Sequence, residues 1–230
     1  MWEPTPSGSA LQVEGLGVQR GERWILRDLS FEVAPGEALG IVGTSGAGKT
    51  TLAWAILGLL PLSAGSIHLM GLPWSSMDEA QRRPHRPLMQ AVFQDPTASL
   101  PPHRTGWQIL EEPLAIHHRG DERQRRDAAI LMAERVKFPL AALEQKPHQW
   151  SNGLAQRLCL GRALMLTPRL LVLDEPLSAL DPTLGSHLLK LLLDLRDGGT
   201  TLLFISHQIS SVRRLCDRQI LIAPDQAAQG

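Results

Sequence analysis

Cysteine is scarce. The 230 residues hold two, Cys159 and Cys216, far apart and each within an apolar-periodic stretch. That excludes a disulfide framework and predicts two reduced, packed thiols in a cytosolic protein. Net charge is absent too, with 23 basic against 23 acidic residues. No basic excess points to nucleic acid, and no acidic excess points to disorder. No apolar run reaches the roughly 18–20 residues of a membrane helix. Leu184 to Leu195 comes nearest and is interrupted by His187, Lys190 and Asp194. Met1 to Leu11 has no basic segment and no apolar core, so no signal peptide is expected. Any action on a membrane is therefore expected to pass through a partner.

The length fits one domain, burying roughly 70–75% of the surface its unfolded chain exposes. Residues 1–10 read as a loose tail. Leu11 to Val33 alternates apolar and polar around turn signals at Gly15, Gly17 and Gly21, the pattern of antiparallel strands. Ala38 to Val42 is a short apolar run, and Thr50 to Leu60 reads as a buried helix. Ser66 to Met70 and Met89 to Phe93 read as strands. Ser76 with Glu79 fits a capping box between them. From residue 95 to about 165 prolines, histidines and charged helical stretches replace strand-like runs, predicting an inserted helical subdomain. Leu170 to Leu173 and Thr201 to Ile205 are continuous apolar runs, which argue for a parallel sheet covered on both faces.

Gly43-Thr44-Ser45-Gly46-Ala47-Gly48-Lys49-Thr50 follows one apolar strand and opens a helix, the setting of a phosphate-binding loop. The glycines let backbone N–H groups converge on one phosphate chain, and the helix N-terminus adds its positive end. Lys49 is assigned to the β- and γ-phosphates and Thr50 to Mg²⁺, with Thr51 completing the nucleotide-binding set. Asp174 and Glu175 close an apolar strand. Ligands of open α/β sheets sit at such strand ends, so Asp174 is placed to hold Mg²⁺ and Glu175 to orient or deprotonate the attacking water. His207 ends another core strand on the same edge, within reach of a γ-phosphate.

Together these motifs resemble the ABC ATPase family over residues 11–223. The resemblance implies an α/β phosphate-loop NTPase core with an antiparallel β subdomain and an inserted α-helical subdomain, using ATP and Mg²⁺. Val92-Phe93-Gln94-Asp95-Pro96 looks like the family's Q-loop, in which Gln94 would reach Mg²⁺ or the attacking water. Ser178-Ala179-Leu180-Asp181 looks like its D-loop, and Asp181-Pro182 also suits a helix start. The signature departs from the family's Leu-Ser-Gly-Gly-Gln. The chain has Trp150-Ser151-Asn152-Gly153-Leu154. Ser151 and Gly153 are retained to meet a partner chain's ATP, while Asn152 adds bulk and Leu154 removes a polar side chain. This implies a weakened, asymmetric site. For the aromatic side chain that the family stacks on adenine, the chain offers Arg20 or Trp24.

Gln94 through Pro102, followed by Ile109-Leu110-Glu111-Glu112-Pro113-Leu114, resembles the peptide and nickel importer branch. That implies transmembrane permease subunits, a second and different ATPase subunit, an extracytoplasmic substrate-binding protein, and a place on the cytoplasmic face of the membrane. Peptides, nickel or a metal chelate are the expected cargo. A non-transport ABC ATPase and a regulatory ATP-binding module are the rival readings. The eight histidines, His117-His118 among them, show no ligand spacing. The basic stretches Arg82 to Arg86 and Arg119 to Arg126 read as solvated faces.

Overall fold

A computed structural model describes residues 8–223. The expected tail, residues 1–10, lies mostly outside them. Ala10 is buried, and its N–H donates to the Val33 carbonyl at 2.8 Å, so the sheet already holds the chain before Leu11.

Strands β1 (Leu11–Arg20), β2 (Arg23–Val33) and β4 (Ala64–Leu69) form an antiparallel sheet in the order β2-β1-β4. Gly21 lies in the turn between β1 and β2. Gly15 and Gly17 instead fall inside β1, at register shifts where extra residues bulge out of the ladder. The second sheet is wholly parallel, in the order β5-β6-β7-β3-β8. Its strands are β3 (Ala38–Val42), β5 (Met89–Val92), β6 (Leu170–Asp174), β7 (Thr201–Ile205) and β8 (Arg218–Leu221).

The continuous apolar runs follow from two cores. Leu39, Ile41, Leu170, Val172, Leu203 and Ile205 point into a core shared with the antiparallel sheet and helix α1 (Lys49–Ile56). Their neighbours Leu171, Leu173, Leu202 and Phe204 point into the opposite core. That core is built with helices α3 (Gly106–Ile116), α4 (Glu122–Arg135), α5 (Asn152–Leu164) and α6 (Pro182–Asp197) and with α7 (Ile209–Leu215). A strand covered on both faces has no position left for a polar side chain except at its ends. The segment Leu184 to Leu195 lies within α6 and buries Leu188, Leu189, Leu191 and Leu192. Among the described residues no helix is long and apolar enough to cross a membrane.

Helix α1 stops at Ile56, short of the expected Leu60. Gly58 takes a left-handed φ of +69°, and Leu59 N–H bonds back to the Trp54 carbonyl at 2.9 Å. This is the turn that a glycine just past a helix end makes without strain. The expected Ser76/Glu79 box is displaced by two residues. Asp78 caps the short helix α2 (Glu79–Arg82), exchanging bonds with Gln81.

Arg82 and Arg86 do not form a solvated face. Arg82 donates to the carbonyls of Trp74, Ser75 and Gly58, and Arg86 donates to that of Leu57. Their guanidinium carbons lie 5.6 and 5.4 Å from the centroid of the Trp74 ring, which is fully buried. Two cations thus satisfy the carbonyls at the negative end of α1 and cover an aromatic ring together. Arg126 is fixed likewise, 4.2 Å from the Trp107 centroid and paired with Glu111 at 2.7 Å.

Trp74→Ala should cost about 3–5 kcal/mol, the range for emptying a large buried aromatic site. Urea denaturation would read this as a lowered midpoint at constant slope. Both cysteines are free. Burial pushes each thiol from 9.0 up to about 12. A raised pKa leaves less thiolate at any lower pH. At pH 8 the folded protein should therefore react with Ellman's reagent at least about tenfold more slowly than the unfolded chain. Equal rates would mean the thiols are reached without unfolding.

Candidate active site

The phosphate loop, Gln94, Asp174, Glu175 and His207 meet at the carboxyl edge of the parallel sheet. β3 leads into the loop, β5 ends two residues before Gln94, β6 ends at Asp174, and β7 ends two residues before His207. A cleft of about 550 Å³ opens there. One wall is Ser45, Gly46, Gly48, Lys49, Thr50 and Thr51, and the other is Gln94, Asp174, Glu175 and His207. Gly43, Thr44 and Ala47 shape the loop from behind. The first two give their carbonyls to Lys49 Nζ at 2.9 Å each, and Ala47 is buried in the core.

Gly48 precedes α1 with φ +95° and offers no side chain to cap the helix. A Cβ there would lie 2.9 Å from Leu26 Cδ2 and 3.1 Å from the Ile25 carbonyl. Only glycine fits, and the first N–H groups of α1 are left facing the cleft without a capping side chain. Uncapped N–H groups beside an ammonium group make an anion receptor.

Across the cleft the Thr50 hydroxyl donates to Asp174 Oδ2 at 2.7 Å. Burial raises the Asp174 pKa above its ordinary value. The Thr50 hydrogen bond opposes this, Glu175 adds to it, and Lys49 opposes it. A buried carboxylate paired with a hydroxyl oxygen is a hard-donor set that a divalent cation such as Mg²⁺ would relieve.

Glu175 is held at every polar atom. Its φ is +51°, uncommon for any residue with a Cβ, and it is 6% exposed. Its N–H donates to the Ile205 carbonyl at 2.9 Å, and its carbonyl accepts from the Ser178 hydroxyl at 2.9 Å. Its Oε1 accepts from His207 N–H at 2.9 Å and lies 2.7 Å from His207 Nδ1. Its Oε2 accepts from the Ser206 hydroxyl at 3.1 Å. Sequence reasoning singled out His207 and passed over Ser206. Only the strand-end position beside His207 marks it.

Ser151 and Gly153 are not at this cleft. Ser151 caps α5 by accepting from Leu154 N–H, and a Cβ on Gly153 would stand 3.2 Å from the Ala179 carbonyl. Of the two adenine candidates, neither lines the cleft; Ile25 does. The Trp24 ring is packed on β1, its Cζ3 lying 2.7 Å from where a Gly17 Cβ would be, and Arg20 pairs with Arg23 at the hairpin end. Among the described residues no cluster of three or more His, Cys, Asp or Glu forms a metal site, and His117-His118 belong to none.

A strand, a glycine-shaped anion loop, a helix and a facing pair of acids define a protein of the phosphate-loop nucleotide-binding class. The chain belongs to the ABC transporter family, whose model matches residues 26–178. Among similar proteins is a putative peptide import ATP-binding protein of Brucella ovis, 40% identical over 199 residues, which are 86% of this chain and 63% of that protein. Another is the probable D,D-dipeptide transport ATP-binding protein DdpF of Escherichia coli, 40% identical over 84% of this chain and 59% of its own length. The chain spans less than two thirds of the length of these curated relatives. The solved ATP-binding cassette MJ0796, a dimer in a post-hydrolysis state bound to ADP and Pi, superposes with a TM-score of 0.87 at 26% identity, covering 94% of this chain and 97% of that one. The fold is therefore that of the ABC ATPase cassettes.

Gly48→Ala should destabilise the fold by about 1–3 kcal/mol, the cost of holding a side chain in a disallowed backbone region. An unchanged urea midpoint would mean that the loop relaxes freely and that its geometry is not fixed by Gly48.

Proposed function

We propose that this chain is the ATP-binding and ATP-hydrolysing subunit of an ABC importer whose cargo is a peptide. The convergence of Lys49, Thr50, Asp174, Glu175 and Gln94 on one cleft carries the reading. In it, the loop N–H groups and Lys49 bind the β- and γ-phosphates. Thr50, Asp174 and Gln94 would hold Mg²⁺, which when bound would offset the phosphate charge. Glu175 orients the attacking water and takes its proton as the new P–O bond forms. The bond between the γ-phosphorus and the β-bridging oxygen breaks, releasing ADP and phosphate. His207 holds Glu175 through its ring and backbone and lies on the γ-phosphate side.

The helix N-terminus at Ser151 and Gly153 serves the nucleotide of a second ATPase subunit. Asn152 and Leu154 weaken that contact and favour a different chain as partner. Transmembrane permeases and an extracytoplasmic binding protein complete the transporter, with this subunit on the cytoplasmic face of the membrane. Peptide cargo is preferred to nickel because the relatives are named for peptide and dipeptide transport.

Lys49→Ala should weaken ATP binding about a hundredfold, or about 2.7 kcal/mol. Unchanged affinity by calorimetry would end the phosphate-loop assignment. Glu175→Gln should keep that affinity while phosphate release falls about 10²–10⁴-fold, the span of general-base catalysis. Undiminished release would remove Glu175 from its role. Purification from detergent-solubilised membranes should recover permeases and a second ATPase. A soluble complex with no membrane protein would overturn the transporter reading.

A further inference from the structure

We propose that Ser206 is the positioning residue for the Glu175 carboxylate, acting through its hydroxyl group. The proposal rests on the hydrolytic reading above and adds a residue to it.

The placement follows from strand register. Asp174 pairs with Ile205 across β6 and β7, so Glu175 and Ser206 leave the sheet side by side. Ser206 is 3% exposed, and its own N–H is tied to the Ile41 carbonyl of β3. A serine hydroxyl has one proton to give and two lone pairs. An ionised carboxylate can only accept, so the proton goes to Glu175 Oε2 at 3.1 Å. One lone pair then accepts from Gln208 N–H, also at 3.1 Å. One buried hydroxyl therefore ties the carboxylate to the turn that carries His207.

His207 also binds the carboxylate, but the two contacts differ in permanence. The His207 side chain is 65% exposed, whereas that of Glu175 is 7% exposed. Water competes for the ring contact and hardly at all for the Ser206 contact, where low polarity strengthens a hydrogen bond to a charge. The Glu175 backbone is already fixed by Ile205 and Ser178, leaving side-chain rotation as its remaining freedom. The Ser206 hydroxyl removes that freedom even when the His207 ring turns away.

The test compares Ser206→Thr, which keeps the hydroxyl, with Ser206→Val, which has nearly the same shape without it, and with Ser206→Ala. In steady-state phosphate release, Val and Ala should lower kcat about ten- to thirtyfold, about 1.4–2 kcal/mol of barrier. The KM for ATP and the calorimetric ATP affinity should stay unchanged, and Thr should stay near the parent. In a Glu175→Gln background, Ser206→Val should lower the residual rate no further. Amide hydrogen exchange at His207 should quicken in Val and not in Thr, because that N–H depends on a fixed carboxylate. Equal kcat in Val and Thr would overturn the proposal. So would a loss shared by all three variants together with a lowered Tm, which marks packing. If the parent binds ATP and releases no phosphate, the hydrolytic reading falls, and the His207 amide still decides whether Ser206 holds Glu175.

Discussion

Everything at the cleft depends on one constraint: three strands, β3, β7 and β6, lie parallel with their carboxyl ends level. Ile41 pairs with Ile205, and Ile205 with Asp174. Because each strand is apolar on both faces, the first polar groups the chain can offer come where the strands end. Level ends put those groups together. The loop from β3, the acids from β6 and the Ser206-His207 pair from β7 therefore meet without any further device. A one-residue slip of β6 against β7 would turn Asp174 from the cleft toward a core.

Burial then decides the chemistry. Asp174 and Glu175 are 2% and 6% exposed, yet neither is stranded. Asp174 is matched by the Thr50 hydroxyl, and Glu175 by Ser206 and His207. Carboxylates placed so deeply would otherwise cost several kcal/mol apiece. The strained backbone at Glu175 survives because Ile205 and Ser178 hold its N–H and carbonyl while Ser206 and His207 hold its side chain.

The sequence was most legible where periodicity and motif coincided. Ala38–Val42 and Thr201–Ile205 read to the residue, since an uninterrupted apolar run bounded by turn residues admits one strand. The loop, Asp174, Glu175 and His207 stood out as candidates because each lies at the end of such a strand, and Gln94 stood out through its resemblance to the Q-loop. Boundaries set by backbone conformation were not. The end of α1 turns on the φ of Gly58, and the bulges at Gly15 and Gly17 look like turns to a reader of composition. Side chains whose role depends on a distant partner were also hidden. Arg82 and Arg86 serve Trp74 and the end of α1, and Trp24 packs on its own hairpin, leaving Ile25 at the cleft. Ser206 was marked only by its strand-end position, since its partner lies 31 positions away.

The near contact between Gly153 and the Ala179 carbonyl has a mechanical consequence. Helix α5 begins against the very loop that follows Glu175 and ends in the Asp181 cap of α6. With no side chain as a spacer, the first turn of α5 sits directly on that loop. A larger residue at 153 would have to push the helix and the loop apart by a few tenths of an ångström.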